Sequence, residues 1–265
     1  MSDASFVDPH HEGPSVRVRM SVAYNGAGFS GFASNPGART VGGVITDALE
    51  RVLGHQIVLS CAGRTDAGVH ANGQVISFDT DHPRLDLQRL SRSINKICAP
   101  SIAVREATIV DRDFDARFSA VSRYYRYTVL NRDVPNPFLA ETTWRVEKPL
   151  DIRTLRLGCD PLIGTHDFSS FCRSPKRAVG TRERSMMRRV TFARWHDLGD
   201  GLLRFDIEAS AFCHQMVRSI VGTLVEMGSG KKRAGEMRTI LESKNRAAAG
   251  PIAPPQGLML WEVRY

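Results

Sequence analysis

The chain reads as an α+β protein: two ferredoxin-like βαββαβ units fused side by side into an extended antiparallel sheet, with helices on one face. Three observations predict this. Short runs of alternating apolar residues are interspersed with stretches whose apolar residues recur at steps of three and four. The order β-α-β-β-α-β occurs twice, without any repeat of the sequence itself. A length of 265 residues, with 42% apolar and 24% charged side chains, suits one large domain or two fused ones that bury a full core.

The first unit is expected over residues 15–115. Val16, Val18, Met20, Val22 and Tyr24 alternate as in a half-buried strand. Thr40 then precedes the stripe Val41, Val44, Ile45, Ala48, Leu49, Val52 and Leu53, which falls on one helical face and stops at Gly54. Strands are predicted at 56–62 and 73–79, a helix at 86–97 through Leu87, Leu90, Ile94 and Ile97, and a strand at 101–109. The boundary falls near 111–120.

The second unit is expected over residues 116–265. It has a strand at 121–130, a helix at 151–163, strands at 186–195 and 202–210, a helix at 214–227, a short helix at 234–243 and a last strand at 258–264. Two such units would leave the sheet face opposite the helices open to a ligand, as in RNA-binding sheets of this topology. Residues 1–14 are polar and acidic without an apolar core, which predicts a disordered tail rather than a signal peptide. The five cysteines are odd in number and none sit at CxxC spacing, so neither a disulfide framework nor a zinc site is expected, and a reducing cytoplasm is. No run approaches the roughly 18 apolar residues of a membrane span.

Basic residues outnumber acidic ones 36 to 28, and thirty of the 36 are Arg. Guanidinium groups grip phosphate in two places and stack on bases, so a polyanion such as nucleic acid is the expected partner. A GC-rich genome would produce the same bias. Residues 173–194 hold seven Arg and one Lys against one Glu. Such a segment is either a solvated surface loop or a phosphate contact, and its density without acidic balance favours the second.

The stretch Cys61–Ala71, CAGRTDAGVHA, lies between two apolar strands with glycines on both sides of Arg64, Thr65 and Asp66. Glycines let the backbone turn tightly and approach a ligand closely. On residue types alone Asp66 is either an Asx-turn residue or a reactive carboxylate beside a cation.

This stretch, continued to Gln74, resembles the catalytic motif of the bacterial tRNA pseudouridine synthase A family. Ala23-Tyr24-Asn25-Gly26 with Gly31-Phe32, Asp115 to Ala120, Arg123 to Tyr127, Gly164 to Phe171, Phe212 to Arg218 and Gly257-Leu258 resemble further blocks, in family order. Phe32-Ala33 stands where the family usually has Trp-Gln, and Asn25 where it has Asp. The resemblance implies cofactor-free, metal-free isomerisation of uridines 38, 39 and 40 in the anticodon stem-loop of tRNA to pseudouridine, by a homodimer.

By resemblance Asp66 is the nucleophile, attacking the uracil ring or the sugar C1′, or acting as a base at C2′. Arg218 is expected to pair with it and keep it oriented and charged. Tyr125 is expected to stack on the flipped base and relay a proton, Leu258 to wall the base pocket, and Arg64 to fill the vacated stack. Arg84, Arg117 and Arg132 lie at or near the family's RNA-contact positions. Lys176, Arg177, Arg182, Arg184 and Arg188 are expected to contact phosphate from the basic segment. Two other readings of the chain are a non-catalytic RNA-binding module, which has no use for the Asp66 corner and lacks the RNP1 pattern, and an Asp hydrolase, for which no metal-ligand pattern exists in the sequence.

Overall fold

The computed structural model describes residues 15–173 and 185–265. The tail 1–14 lies outside the described residues, as do Lys176, Arg177, Arg182 and Arg184.

The first half runs β1 (Val16–Tyr24), α1 (Val41–Leu53), β2 (Ser60–Cys61), β3 (His70–Thr80), α2 (Leu87–Cys98), β4 (Ile102–Val110). The caps are local. Thr40 Oγ1 accepts from Gly43 N–H, and Gly54 ends α1 at φ 80° while its own N–H donates to Glu50 C=O. Asp86 caps α2 by accepting from the N–H groups of Gln88 and Arg89. The second half runs β5 (Ser122–Leu130), β6 (Trp144–Arg145), α3 (Ile152–Leu157), β7 (Gly164–Asp167), β8 (Met187–Asp197), β9 (Leu202–Ala209), α4 (Met216–Gly228), α5 (Glu236–Glu242), β10 (Leu258–Arg264).

The sheet is ordered β4-β1-β3-β10-β5-β9-β8-β7, with β2 beside β3 and β6 beside β5. Each half contributes the order fourth-first-third-second of its four main strands, the arrangement that the doubled β-α-β-β-α-β pattern predicts. The sheet is not wholly antiparallel, however: β10 joins β3 in parallel through Met259–His70 and Leu260–Ala71, and β6 joins β5 in parallel.

Register explains which face is covered. Tyr24, Ala71, Leu260, Tyr125 and Ile207 are successive partners across five strands, so their side chains lie on one face. All five are buried, together with Val41, Ile45, Ala48, Leu49 and Leu53 of α1 and Met216, Val217, Ile220, Val221 and Leu224 of α4. The opposite face carries Arg17, Arg19, Arg126 and Arg204, all partly exposed, and the Arg126 guanidinium lies 3.5 Å from the centre of the Trp261 ring.

Several elements depart from expectation. The strand predicted at 56–62 shrinks to Ser60–Cys61, because Ile57 N–H bonds to Glu50 Oε1 and His55 bonds to Gln56 C=O and Thr80 Oγ1 rather than to a ladder partner. The helix predicted at 151–163 stops at Leu157, and Pro161 sits in a following 3-10 turn. β6 and β7 have two and four residues, too short to show a period. The end of the basic segment, from Met187, is β8 rather than loop. Cys172 and Cys213 form a disulfide, against the expectation of none; 41 positions separate them, and only the fold brings their Cα atoms to 5.7 Å.

Candidate active site

The loop between β2 and β3 is built by its own backbone and by buried polar side chains. Val69 N–H donates to Asp66 C=O at 3.1 Å, closing a turn whose third residue is Gly68 at φ +77°. Gly26 runs against this turn so closely that a Cβ there would meet Val69 C=O at 2.1 Å. The fully buried Gln74 holds Gly63 on both sides, donating to its C=O at 2.6 Å and accepting from its N–H at 3.3 Å. Thr65 and Tyr24 share a buried hydroxyl–hydroxyl bond of 2.8 Å. His70 accepts from Gly26 N–H at Nδ1, so Nε2 carries the proton and donates to the carbonyls of Glu141 and Gln256. Burial pushes its pKa below the ordinary value of 6.5, consistent with that neutral state.

This frame presents Asp66 to a cleft of about 1180 Å³, lined by Gly42 and Thr46 of α1, Met216 and Val217 of α4, and Tyr125 and Leu258 of the central strands. The cleft therefore opens mainly on the helix-covered face, in the gap between α1 and α4, and its lining extends to Arg17 and Asp79. That corrects the expectation of a site on the opposite face. The helices of the two halves stand apart over the central strands, leaving a trough, while mixed charge covers the other side.

Asp66 has a basic side chain beside each carboxylate oxygen. Arg218 Nη1 donates to Oδ2 at 2.9 Å, and His214 Nε2 lies 3.3 Å from Oδ1. The Arg218 side chain is 14% exposed and also donates from Nε to Ala253 C=O at 2.7 Å; Asp66 is 25% exposed. Tyr125 is buried and meets Phe212 edge-on with ring centres 5.1 Å apart. Burial pushes the Tyr125 phenol well above its ordinary value of 10, and the Asp66 charge pushes the same way, so the hydroxyl is protonated at neutral pH.

The cleft brings together Asp66, Arg218, Tyr125, Leu258, Arg64, Arg117 and Arg188. It does not include Arg84, exposed in the turn before α2, or Arg132, which pairs with Asp200 at the far end of β5. Arg132 sits where β5 leaves the sheet, at the end away from the cleft.

Sequence reasoning missed three contributors. His214 and Phe212 lie within the Phe212 to Arg218 stretch but carry no periodic signal of their own. Arg123 donates to the carbonyls of Ala62, Arg117, Ala120 and Ser210, fastening the cleft floor to the segment that joins the two halves.

Residues 20–119 and 159–265 match the family model described as tRNA pseudouridine synthase. The tRNA pseudouridine synthase A of Myxococcus xanthus is 38% identical over 250 residues, covering 94% of this chain and 92% of the relative. That of Bacillus subtilis (strain 168) is 39% identical over 256 residues, covering 94% and 99%. That of Halalkalibacterium halodurans is 40% identical over 244 residues, covering 92% and 90%. Matched by the family model over most of its length and by these relatives nearly end to end, the chain belongs to the tRNA pseudouridine synthase family.

Proposed function

We propose that this protein isomerises uridine to pseudouridine in tRNA, at positions 38, 39 and 40 of the anticodon stem-loop, without a cofactor. The N1–C1′ bond breaks, the base turns over while bound, and C1′ rejoins at C5; C5 gives up a proton and N1 gains one. Asp66 is the nucleophile, and the observation that carries the reading is its carboxylate, hydrogen-bonded to Arg218 at one oxygen with His214 3.3 Å from the other, in the lining of a cleft large enough for one base. Which atom it attacks, C6 or C1′, and whether it instead removes the C2′ proton, are alternative forms of the same assignment.

Position in the cleft supports the other proposed roles. Tyr125 and Leu258 wall the base, with the protonated Tyr125 hydroxyl available as a proton donor. Arg64 is exposed at the cleft mouth, suited to fill the gap left by a flipped base, and Arg117 and Arg188 offer guanidinium groups to phosphate from the same cleft. We further propose that the enzyme works as a cytoplasmic homodimer, a single cleft covering little of a stem-loop; sedimentation of a clean monomer at working concentration would count against that.

The test is incubation with an unmodified tRNA transcript, followed by digestion and separation of the nucleosides. Pseudouridine should form with no added cofactor, and the Asp66→Asn variant should bind tRNA as tightly while making none. A variant that still turns over at a comparable rate would remove Asp66 from the chemistry, and tRNA binding without any product from the unaltered chain would favour a non-catalytic RNA-binding protein. Mapping the modified uridines decides the anticodon assignment.

A further inference from the structure

We propose that His214 is a positioning residue for this reaction: its Nε2, 3.3 Å from Asp66 Oδ1, pairs with the attacking carboxylate and fixes its plane. The role deepens the function proposed above and rests on it. One donor alone, Arg218 on Oδ2, leaves a carboxylate free to swing about its Cβ–Cγ bond. A second polar partner beside the other oxygen, 3.3 Å away, restricts that freedom. Each carboxylate oxygen has two lone-pair sites, so Oδ1 can accept from His214 and still present one to the substrate. The His214 side chain beside Oδ1 is 52% exposed, whereas the Arg218 side chain on Oδ2 is 14% exposed.

The chain around His214 is fastened on every side, which aims the ring. Cys213 is bonded to Cys172. Arg173 N–H donates to His214 C=O at 3.0 Å, and Phe212 rests edge-on against Tyr125. Gln215, which follows, has φ 65°, a conformation that favours glycine and that non-glycine residues adopt where the surroundings over-determine it. A histidine needed only to meet solvent requires no such frame.

Steady-state turnover of a tRNA transcript, with tRNA affinity measured separately, tests the role in the His214→Ala and His214→Gln variants. The Gln amide nitrogen reaches about as far as Nε2 and also donates. In the Ala variant kcat should fall by about tenfold to a hundredfold, the range expected when a reacting group is misplaced rather than removed, with tRNA affinity little changed. The Gln variant should recover most of the loss. Imidazole in the buffer, able to enter the half-open space left by the ring, should speed the Ala variant and leave the unaltered enzyme unchanged. Wild-type kcat in the Ala variant would overturn the role. So would a loss confined to tRNA affinity, or a loss that neither Gln nor imidazole repairs. If the unaltered chain makes no pseudouridine, the proposed reaction itself falls and the role with it, so the two failures are told apart.

Discussion

Asp66 and Arg218 stand 152 positions apart in the chain and meet at 2.9 Å, the carboxylate in a glycine-bounded turn and the guanidinium in the first turn of α4. Arg218 makes two bonds in different directions, Nη1 to Asp66 and Nε to Ala253 C=O. A lysine carries one nitrogen and cannot reproduce that fork. Arg218→Lys should therefore lower kcat by about a hundredfold with tRNA affinity within a few-fold. Affinity falling in step with rate would make Arg218 an RNA contact instead.

Tyr125→Phe keeps the ring against Phe212 and removes only the hydroxyl. If that hydroxyl transfers a proton, kcat should drop by about 10²-fold or more while the melting temperature stays within a few degrees. The raised phenol also has a stability consequence. Above about pH 10 the unfolded chain releases the proton while the native protein keeps it, so stability falls as pH rises through that range. Melting curves between about pH 9 and 11 should show the Phe variant losing less than the unaltered protein.

His70 works in the opposite direction. Its native pKa is depressed by burial, so its contribution to stability is complete above about pH 6.5 and is lost as pH falls and the unfolded chain takes up a proton first. The melting temperature should drop between about pH 7 and 5.5, and His70→Gln should flatten that slope while being less stable at pH 7.5 by about 1–3 kcal/mol. An unchanged slope would assign the acid sensitivity to other groups.

The Cys172–Cys213 bond closes a long loop, and losing it should cost about 2–4 kcal/mol. Cys213→Ser, or a reductant, should lower the melting temperature by about 5–10 °C. Thiol titration in denaturant checks the bond directly: Cys61, Cys98 and Cys159 should react without reductant, and all five cysteines after it. Five reactive thiols in the untreated protein would show that the bond is absent.

Much of the fold was legible because its signals are local. Thr40 and Gly54 bracket α1 as their side-chain chemistry requires, and the alternation in β1 matches its burial. The long strands and helices of both halves follow from apolar period alone. What escaped depends on distant partners. Whether 56–62 extends as a strand is decided by Glu50 and Thr80, and the parallel join of β10 to β3 has no counterpart in either pattern. The site divides likewise. Asp66 and Tyr125 could be picked out from motifs, but the face they occupy follows from the register across five strands. That His214 reaches Asp66 is a property of how α4 begins, and the disulfide pairing leaves no trace in cysteine spacing.

The seam between β3 and β10 has one more implication. Asp66 belongs to the half that contributes β3, whereas Tyr125, His214 and Arg218 belong to the half that contributes β10, and the connection between the halves passes through the exposed stretch Asp111–Asp113. Severed there, each fragment would carry an incomplete reaction centre, and turnover would return only when the fragments reassociate edge to edge. Product formation would then report on the docking of the two pieces, with the divided centre serving as the enzyme's own complementation assay.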